Sequence, residues 1–249
     1  MKLTIRITRT TISFTAPNTV IEGQTDFEQY SMKTGISVAA NLRQALAECR
    51  LLQVQTSPIK AQQSAPSQYH PVFDNVRVYI DTPLLLIPAE EFGEESAPTL
   101  YHHVNTGYQQ DDVLSTPIPA VNAVATYAVG KDLAFVLTER FCNVQFMPLL
   151  APVITEFSRL ACGGFQEKLF CYFHDKRVDV CAFRKSRVRF CSSFDATNAD
   201  DAVYFILNTW QQLGMRPSDV ICLSGNITGH EALLKLLKQF VKNVKHVSI

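Results

Sequence analysis

The chain has 249 residues, 47% hydrophobic and 18% charged, which excludes global disorder and allows one large domain or two of ordinary size. Its 23 Lys and Arg balance 23 Asp and Glu, so no net field draws it toward nucleic acid or anionic lipid. The longest dense apolar run, residues 83–89, is far too short to cross a bilayer, so no direct membrane insertion is expected.

The N-terminus, "MKLTIRITRTTISF", alternates apolar with polar residues and reads as a strand, not as a signal peptide. "TISFT" and "TDFEQYS" continue as strands, and residues 37–49 follow as a helix with Leu42, Ala45, Leu46 and Cys49 on one face. Residues 56–69, rich in Gln, Ser, Pro and Ala, read as a surface excursion. The pattern then gives strands "VRVYID" and "PLLLIP", a short helix near "AEEF", and a strand "NAVATYAV". A helix "KDLAFVLTERF", a strand "NVQFM" and a helix "PVITEFSRLA" complete this part. Gly163 and Gly164 lie beyond that last helix, as a helix end or a hinge.

The last third is the most legible. "EKLFCYF", "RVDVCAF" and "RVRFCSSF" form a three-strand meander with tight turns at Asp175-Lys176 and Lys185-Ser186. A helix follows with Val203, Ile206, Leu207, Trp210 and Leu213 at helical spacing, ended by Gly214 and Pro217. "DVICLS" is apolar enough to be buried on both faces. Thr228 and Glu231 have capping-box spacing before "HEALLKLLKQFV", and "VKHVSI" ends the chain as a strand. The order β-β-β-α-β-α-β, with right-handed crossovers, builds a mixed sheet: an antiparallel meander on one side and parallel strands on the other. One meander face should carry Leu169, Phe173, Val178 and Val180, and the other Phe170, Cys181, Phe183 and Phe190. The first part begins with the same β-β-β-α. The expected fold is therefore α/β: an N-terminal half with insertions over 1–162 and a C-terminal half over 165–249.

Seven cysteines, with no CxxC, point to a reducing, cytoplasmic compartment. Cys171, Cys181 and Cys191 are spaced by tens. In an unbroken ladder Cys171 and Cys191 both oppose Val180 while Cys181 faces the other way. Two strand spacings of ~4.8 Å then hold Cys171 and Cys191 ~10 Å apart, beyond the ~7 Å limit for a disulfide. Core packing is expected of all three, not a bridge or a metal site.

Two consecutive ribonuclease-H-like βββαβαβ halves with mixed five-stranded sheets resemble the actin-like ATPase superfamily. Through "VRVYIDTPLLLIPAEEF", "VNAVATYAVGKDLAFVLTERFCNVQFMP" and "VICLSGNITGHEALLKLL", the chain resembles more narrowly a bacterial domain-of-unknown-function family with that fold. The last segment is also similar to the adenosine-side motif of actin-like pilus-assembly and secretion proteins. The resemblance covers essentially the whole chain; it implies a fold and no established activity.

Ligands of open α/β sheets bind beyond the carboxyl ends of the strands. If a nucleotide binds, that rule and the resemblance give its residues as Asp175, Lys176, Arg177, Ser224, Gly225, Asn226 and Thr228, with a helix N-terminus after Thr228 suited to an anion. The resemblance implies Asp-x-Gly hairpins in members that hydrolyse ATP, holding phosphates on backbone amides and orienting magnesium. Here the first hairpin, "ITRTTIS", has neither acid nor glycine; in the second, "FHDKRV", Asp175 matches the acid but Arg177 stands at the glycine position. Glycine supplies only 10 of 249 residues. Lys235, Lys238, Lys242 and Lys245 share one helical face expected to be wet, and His102-His103 lack a third metal ligand at suitable spacing. The expectation is a non-enzymatic scaffold or regulator acting through a protein partner, with no cofactor and no nucleic acid. The alternatives are an ATP- and magnesium-using ATPase or kinase, and a small-ligand binding module.

Overall fold

The computed structural model describes residues 1–18, 21–53, 73–163, 166–185, 187–227 and 230–249. The surface excursion read at 56–69 lies outside them, as do Gly164 and Thr228. The chain folds into two compact units, one comprising Met1–Thr82, Gln110–Asp112 and Ala128–Leu149, the other Pro83–Gln109, Val113–Tyr127 and Leu150–Ile249.

The first unit is built on β1 (Lys2–Ile7), β2 (Thr11–Pro17), β3 (Thr25–Ser31), α1 (Val38–Glu48), the short α2 (Arg50–Gln53) and β4 (Asn75–Ile80). Further along the chain come β5 (Leu84–Pro88), α3 (Ala97–Val104), β6 (Asp112–Ile118), β7 (Ala123–Val129), α4 (Lys131–Arg140) and β8 (Val144–Pro148). The sheet order is β3-β2-β1-β4-β8, with β1 antiparallel to β2 and parallel to β4. Alternation dictates the register. Leu3, Ile5 and Ile7 of β1 stand level with Val76, Val78 and Ile80 of β4, and all six are buried. Each contributes about 1.5–3 kcal/mol of burial that a one-residue slip would forfeit. The Ser37 hydroxyl accepts from the Ala40 amide to cap α1, whose Leu42, Ala45 and Leu46 are buried with Cys49 just beyond. Buried Asn41 ties the loop before the helix by accepting from the Lys33 amide and donating to the Lys33 carbonyl.

The second unit contains α5 (Leu150–Ala161), β9 (Lys168–His174), β10 (Arg177–Arg184), β11 (Arg187–Asp195), α6 (Ala199–Gln212), β12 (Val220–Gly225), α7 (His230–Phe240) and β13 (Val244–His246). Its sheet order, β11-β10-β9-β12-β13, repeats that of the first sheet, with β12 parallel to β9 and β13. Leu169, Cys171, Phe173, Val178, Val180 and Ala182 bury one face together with Ala202 and Ile206 of α6 and Leu233 and Leu237 of α7. On the other face Phe170 lies against Phe183 edge-on at 5.5 Å and against Phe157 of α5 in a stack at 4.5 Å. That stack places α5 with the C-terminal sheet. The same unit holds a three-stranded sheet of order β5-β7-β6.

Three expectations are corrected. "AEEF" is not a helix: the Glu91 amide turns back to the Pro88 carbonyl, and the helix forms at Ala97–Val104, with Pro98 in its first turn. β6, absent from the sequence reading, is an edge strand containing Pro117. Finally, the β10–β11 ladder shifts at Ala182/Phe183: Phe183 opposes Val188 and Ala182 opposes Phe190, leaving Arg189 as an extra, bulged residue. The bulge moves Phe190 to the face under α6 and α7 and sets Cys191 opposite Cys181 instead of Val180. Among the described residues, no helix is long and apolar enough to cross a membrane.

Candidate functional site

The tip of the β9–β10 hairpin, the end of β12 and the start of α6 converge around a pocket of about 280 Å³ within the second unit. The hairpin closes in two residues, Asp175 (φ 42) and Lys176 (φ 59), both left-handed as a type I′ turn requires. His174 and Arg177 are its last ladder pair. The Lys176 carbonyl accepts from the Ala196 amide at 2.8 Å and so pins the segment leading into α6. Asn198 caps that helix by accepting from the Asp201 amide, while the Asp201 carboxylate accepts from the Thr197 amide and hydroxyl. With Asp200 and Asp201 in the first turn, the helix supplies its own negative charge to its positive end.

Lys176, Arg177 and Asn226 line the pocket beside His174, Asn198 and Leu233. Lys176 is exposed, whereas Arg177 is buried with its Nε 4.0 Å from the Asp195 carboxylate on β11. Asp175, Ser224 and Gly225 are close in the fold but do not line the pocket. Ser224 is fully enclosed, its hydroxyl directed at the Cys171 carbonyl at 3.4 Å. Gly225 has φ 83, and the space a side chain would need is filled by the β9 backbone. The Asn226 amide donates to the Phe173 carbonyl at 2.8 Å, so the end of β12 is spent on β9.

The sequence reading missed a polar chain at this end of the sheet, buried at His174 and Asp179 and part-buried at Ser193. His174 Nε2 and Asp179 Oδ2 lie 2.6 Å apart, and the other Asp179 oxygen accepts from the Ser193 hydroxyl at 2.5 Å. The His174 ring rests against Tyr172 at 5.2 Å. The signal was present in the alternation. Asp179 opposes Tyr172 on one side and Ser193 on the other, and His174 lies one diagonal step away on the same face.

At the first hairpin, in the other unit, the Thr8 hydroxyl accepts from the Thr10 and Thr11 amides at 3.4 and 3.1 Å. The Thr8 amide donates to the Thr11 carbonyl at 2.9 Å, closing the turn on itself. Lys235, Lys238, Lys242 and Lys245 are all exposed, but they do not share one helical face as expected: α7 ends at Phe240, so only Lys235 and Lys238 lie on it, and Lys245 belongs to β13. Arg184 and Arg189, at the far end of the C-terminal sheet, both reach the Glu167 carboxylate.

The repeated strand order, with its mixed five-stranded sheets and matching crossovers, makes this an actin-like ATPase fold. Residues 1–244 match the family "Protein of unknown function (DUF3822)", and the chain belongs to that family. It is similar to a Bacteroides thetaiotaomicron VPI-5482 protein with actin-like ATPase fold and unknown function, at a TM-score of 0.85 and 22% identity over 99% of this chain and 90% of that one. It is also similar to a chain of the PilM-PilN type IV pilus biogenesis complex, at a TM-score of 0.50 and 12% identity over 99% of this chain and 88% of that one. No curated protein matches it.

Proposed function

We propose that this protein acts as a scaffold or regulator through contact with a protein partner, and that its nucleotide site is degenerate. The observation that carries the reading is the Thr8 hydroxyl, which accepts the Thr10 and Thr11 amides at the hairpin where a phosphate loop would offer such groups to a ligand. Two further features support it. Arg177 packs as a buried side chain where backbone would have to approach a phosphate, and the end of β12 is occupied by β9. These residues fit a triphosphate and its magnesium poorly. The PilM-PilN structure, an assembly of two proteins, gives the fold a precedent in partner binding.

A second reading, a nucleotide- or small-ligand-binding protein, draws on the pocket where Lys176, Arg177 and Asn226 meet. Its volume of about 280 Å³ falls just below the ~300–1,000 Å³ common for ligand pockets. A thermal-shift titration with Mg-ATP distinguishes the readings, because a ligand at 100 times its Kd adds about 2.7 kcal/mol of stability. The proposed function expects no shift at millimolar ATP, and a stoichiometric protein recovered in a pull-down from the native cell. A shift that Asp175→Ala abolishes, accompanied by phosphate release, would overturn it in favour of an ATPase.

A further inference from the structure

The bulge at Ala182/Phe183 brings two thiols together that an unbroken ladder would hold on opposite faces of the sheet. Cys181 and Cys191 are direct cross-strand partners, and their sulfurs are 3.1 Å apart. Directly opposed residues of antiparallel strands have Cα atoms ~4.5 or ~5.5 Å apart, both inside the ~4.4–6.8 Å range of disulfides. Reaching a bond of ~2.05 Å takes an approach of about 1 Å, within what side-chain rotation supplies.

The two sulfurs are not equivalent. Cys181 is fully enclosed, whereas Cys191, on the edge strand, is half-buried. The hydrogen bond with Cys191 and then burial push the Cys181 thiol well above its ordinary range, so Cys181 keeps its proton while Cys191 is the sulfur a reagent can reach. Limited access at Cys191 favours a small oxidant over a bulky disulfide, which needs an in-line approach along its own S–S axis.

We propose that Cys181 and Cys191 form a reversible oxidation site that takes a hydroperoxide. The Cys191 thiolate attacks one peroxide oxygen; the S–O bond forms, the O–O bond breaks, and the departing alkoxide or hydroxide takes a proton. Cys181 then attacks the sulfur of the Cys191 sulfenic acid; the S–S bond forms, the S–O bond breaks, and hydroxide leaves with the Cys181 proton as water. Two thiols lose two electrons, and the hydroperoxide becomes one alcohol (or water) and one water. The resulting disulfide staples β10 to β11 two residues from the Asp179–Ser193 pair, which holds His174 at the pocket wall. This site is independent of the proposed function, since it uses neither the pocket nor a partner.

The test uses the full chain with Cys142→Ser and Cys162→Ser, which silence the two exposed thiols. After hydrogen peroxide treatment the protein is unfolded, alkylated and mapped by mass spectrometry without reductant. The expected result is loss of two alkylatable thiols and one Cys181–Cys191 cross-linked peptide that dithiothreitol releases. Cys181→Ala should leave Cys191 as a sulfenic acid captured by dimedone, and Cys191→Ser, at a half-buried position, should keep Cys181 fully alkylatable. Circular dichroism of each variant confirms the fold. Oxidation of Cys191 to sulfinic acid while Cys181 stays alkylatable, or no loss of either thiol, would overturn the proposal.

Discussion

A Cβ atom on Gly225 would lie 2.3 Å from the carbonyl oxygen of Phe173 and 2.9 Å from its nitrogen. The glycine that looks in sequence like part of a phosphate turn is required by the neighbouring strand. β12 ends flush against β9, and only a residue without a side chain fits at φ 83. Gly225→Ala should cost ~1–2 kcal/mol from the left-handed backbone alone, and more from the clash. Urea denaturation measures this, and a loss under about 1 kcal/mol would show that β12 moves away at little cost.

The Ser193–Asp179–His174 chain should behave as a unit. Asp179→Ala removes a partner of the buried His174 ring and the acceptor of the part-buried Ser193 hydroxyl, and hydrogen bonds to charged groups contribute ~1.5–3 kcal/mol each. A double-mutant cycle with Ser193→Ala should give a coupling of ~0.5–3 kcal/mol. Strict additivity of the two single substitutions would mean that the short Ser193–Asp179 contact contributes nothing.

The strands of the first sheet were readable from their alternating apolar residues, and β12 of the second from its nearly continuous apolar run. Leu3, Ile5 and Ile7 declare one face, as do Val76, Val78 and Ile80, and a one-residue slip between the two sets would turn one of them away from the core. The hairpin turn at Asp175 and Lys176 was readable from the four-residue polar break at 174–177 between apolar runs. The bulge was not: Arg189 is neither glycine nor proline, and what holds it is the distant Glu167 carboxylate. β6 escaped because Pro117 argues against a strand wherever edge and interior are not yet distinguished. Glu90 and Glu91 suggested a helix by propensity, but the Ala89 amide is held by the Asn122 carbonyl across the β5–β7 pair and the chain turns there. Of the residues expected at the site, Lys176, Arg177 and Asn226 could be grouped from topology; the contact of the Ser224 hydroxyl with the Cys171 carbonyl depends on packing that no local pattern states.

Alkaline pH should weaken the fold through buried thiols. Burial pushes Cys171 well above the ordinary value of 9.0 and also raises Cys222. A raised folded-state pKa contributes stability that is complete below the unfolded-state pKa and is lost as pH rises through the folded one. Stability should therefore hold up to about pH 9, where thiols of the unfolded chain begin to ionise, and fall above it. Urea midpoints between pH 7 and 10 measure the slope. The double variant Cys171→Val, Cys222→Val should flatten it, and an unchanged slope would assign the loss to other groups.

The Thr8 hydroxyl is the lock on the first hairpin, and removing it should release the groups that a phosphate loop would use. Thr8→Ala takes away the acceptor for the Thr10 and Thr11 amides and leaves the Thr8 backbone bond to Thr11 in place. The turn should persist with a loss of ~0.5–2 kcal/mol, the range for deleting a side chain that caps backbone amides. Hydrogen exchange at Thr10 and Thr11 should accelerate at least several-fold, while exchange at Ile5 and Phe14, inside the β1–β2 ladder, stays slow. Exchange at Thr10 and Thr11 as slow as in the parent protein would mean that something other than the hydroxyl protects those amides. The main support for a degenerate phosphate loop would then be gone.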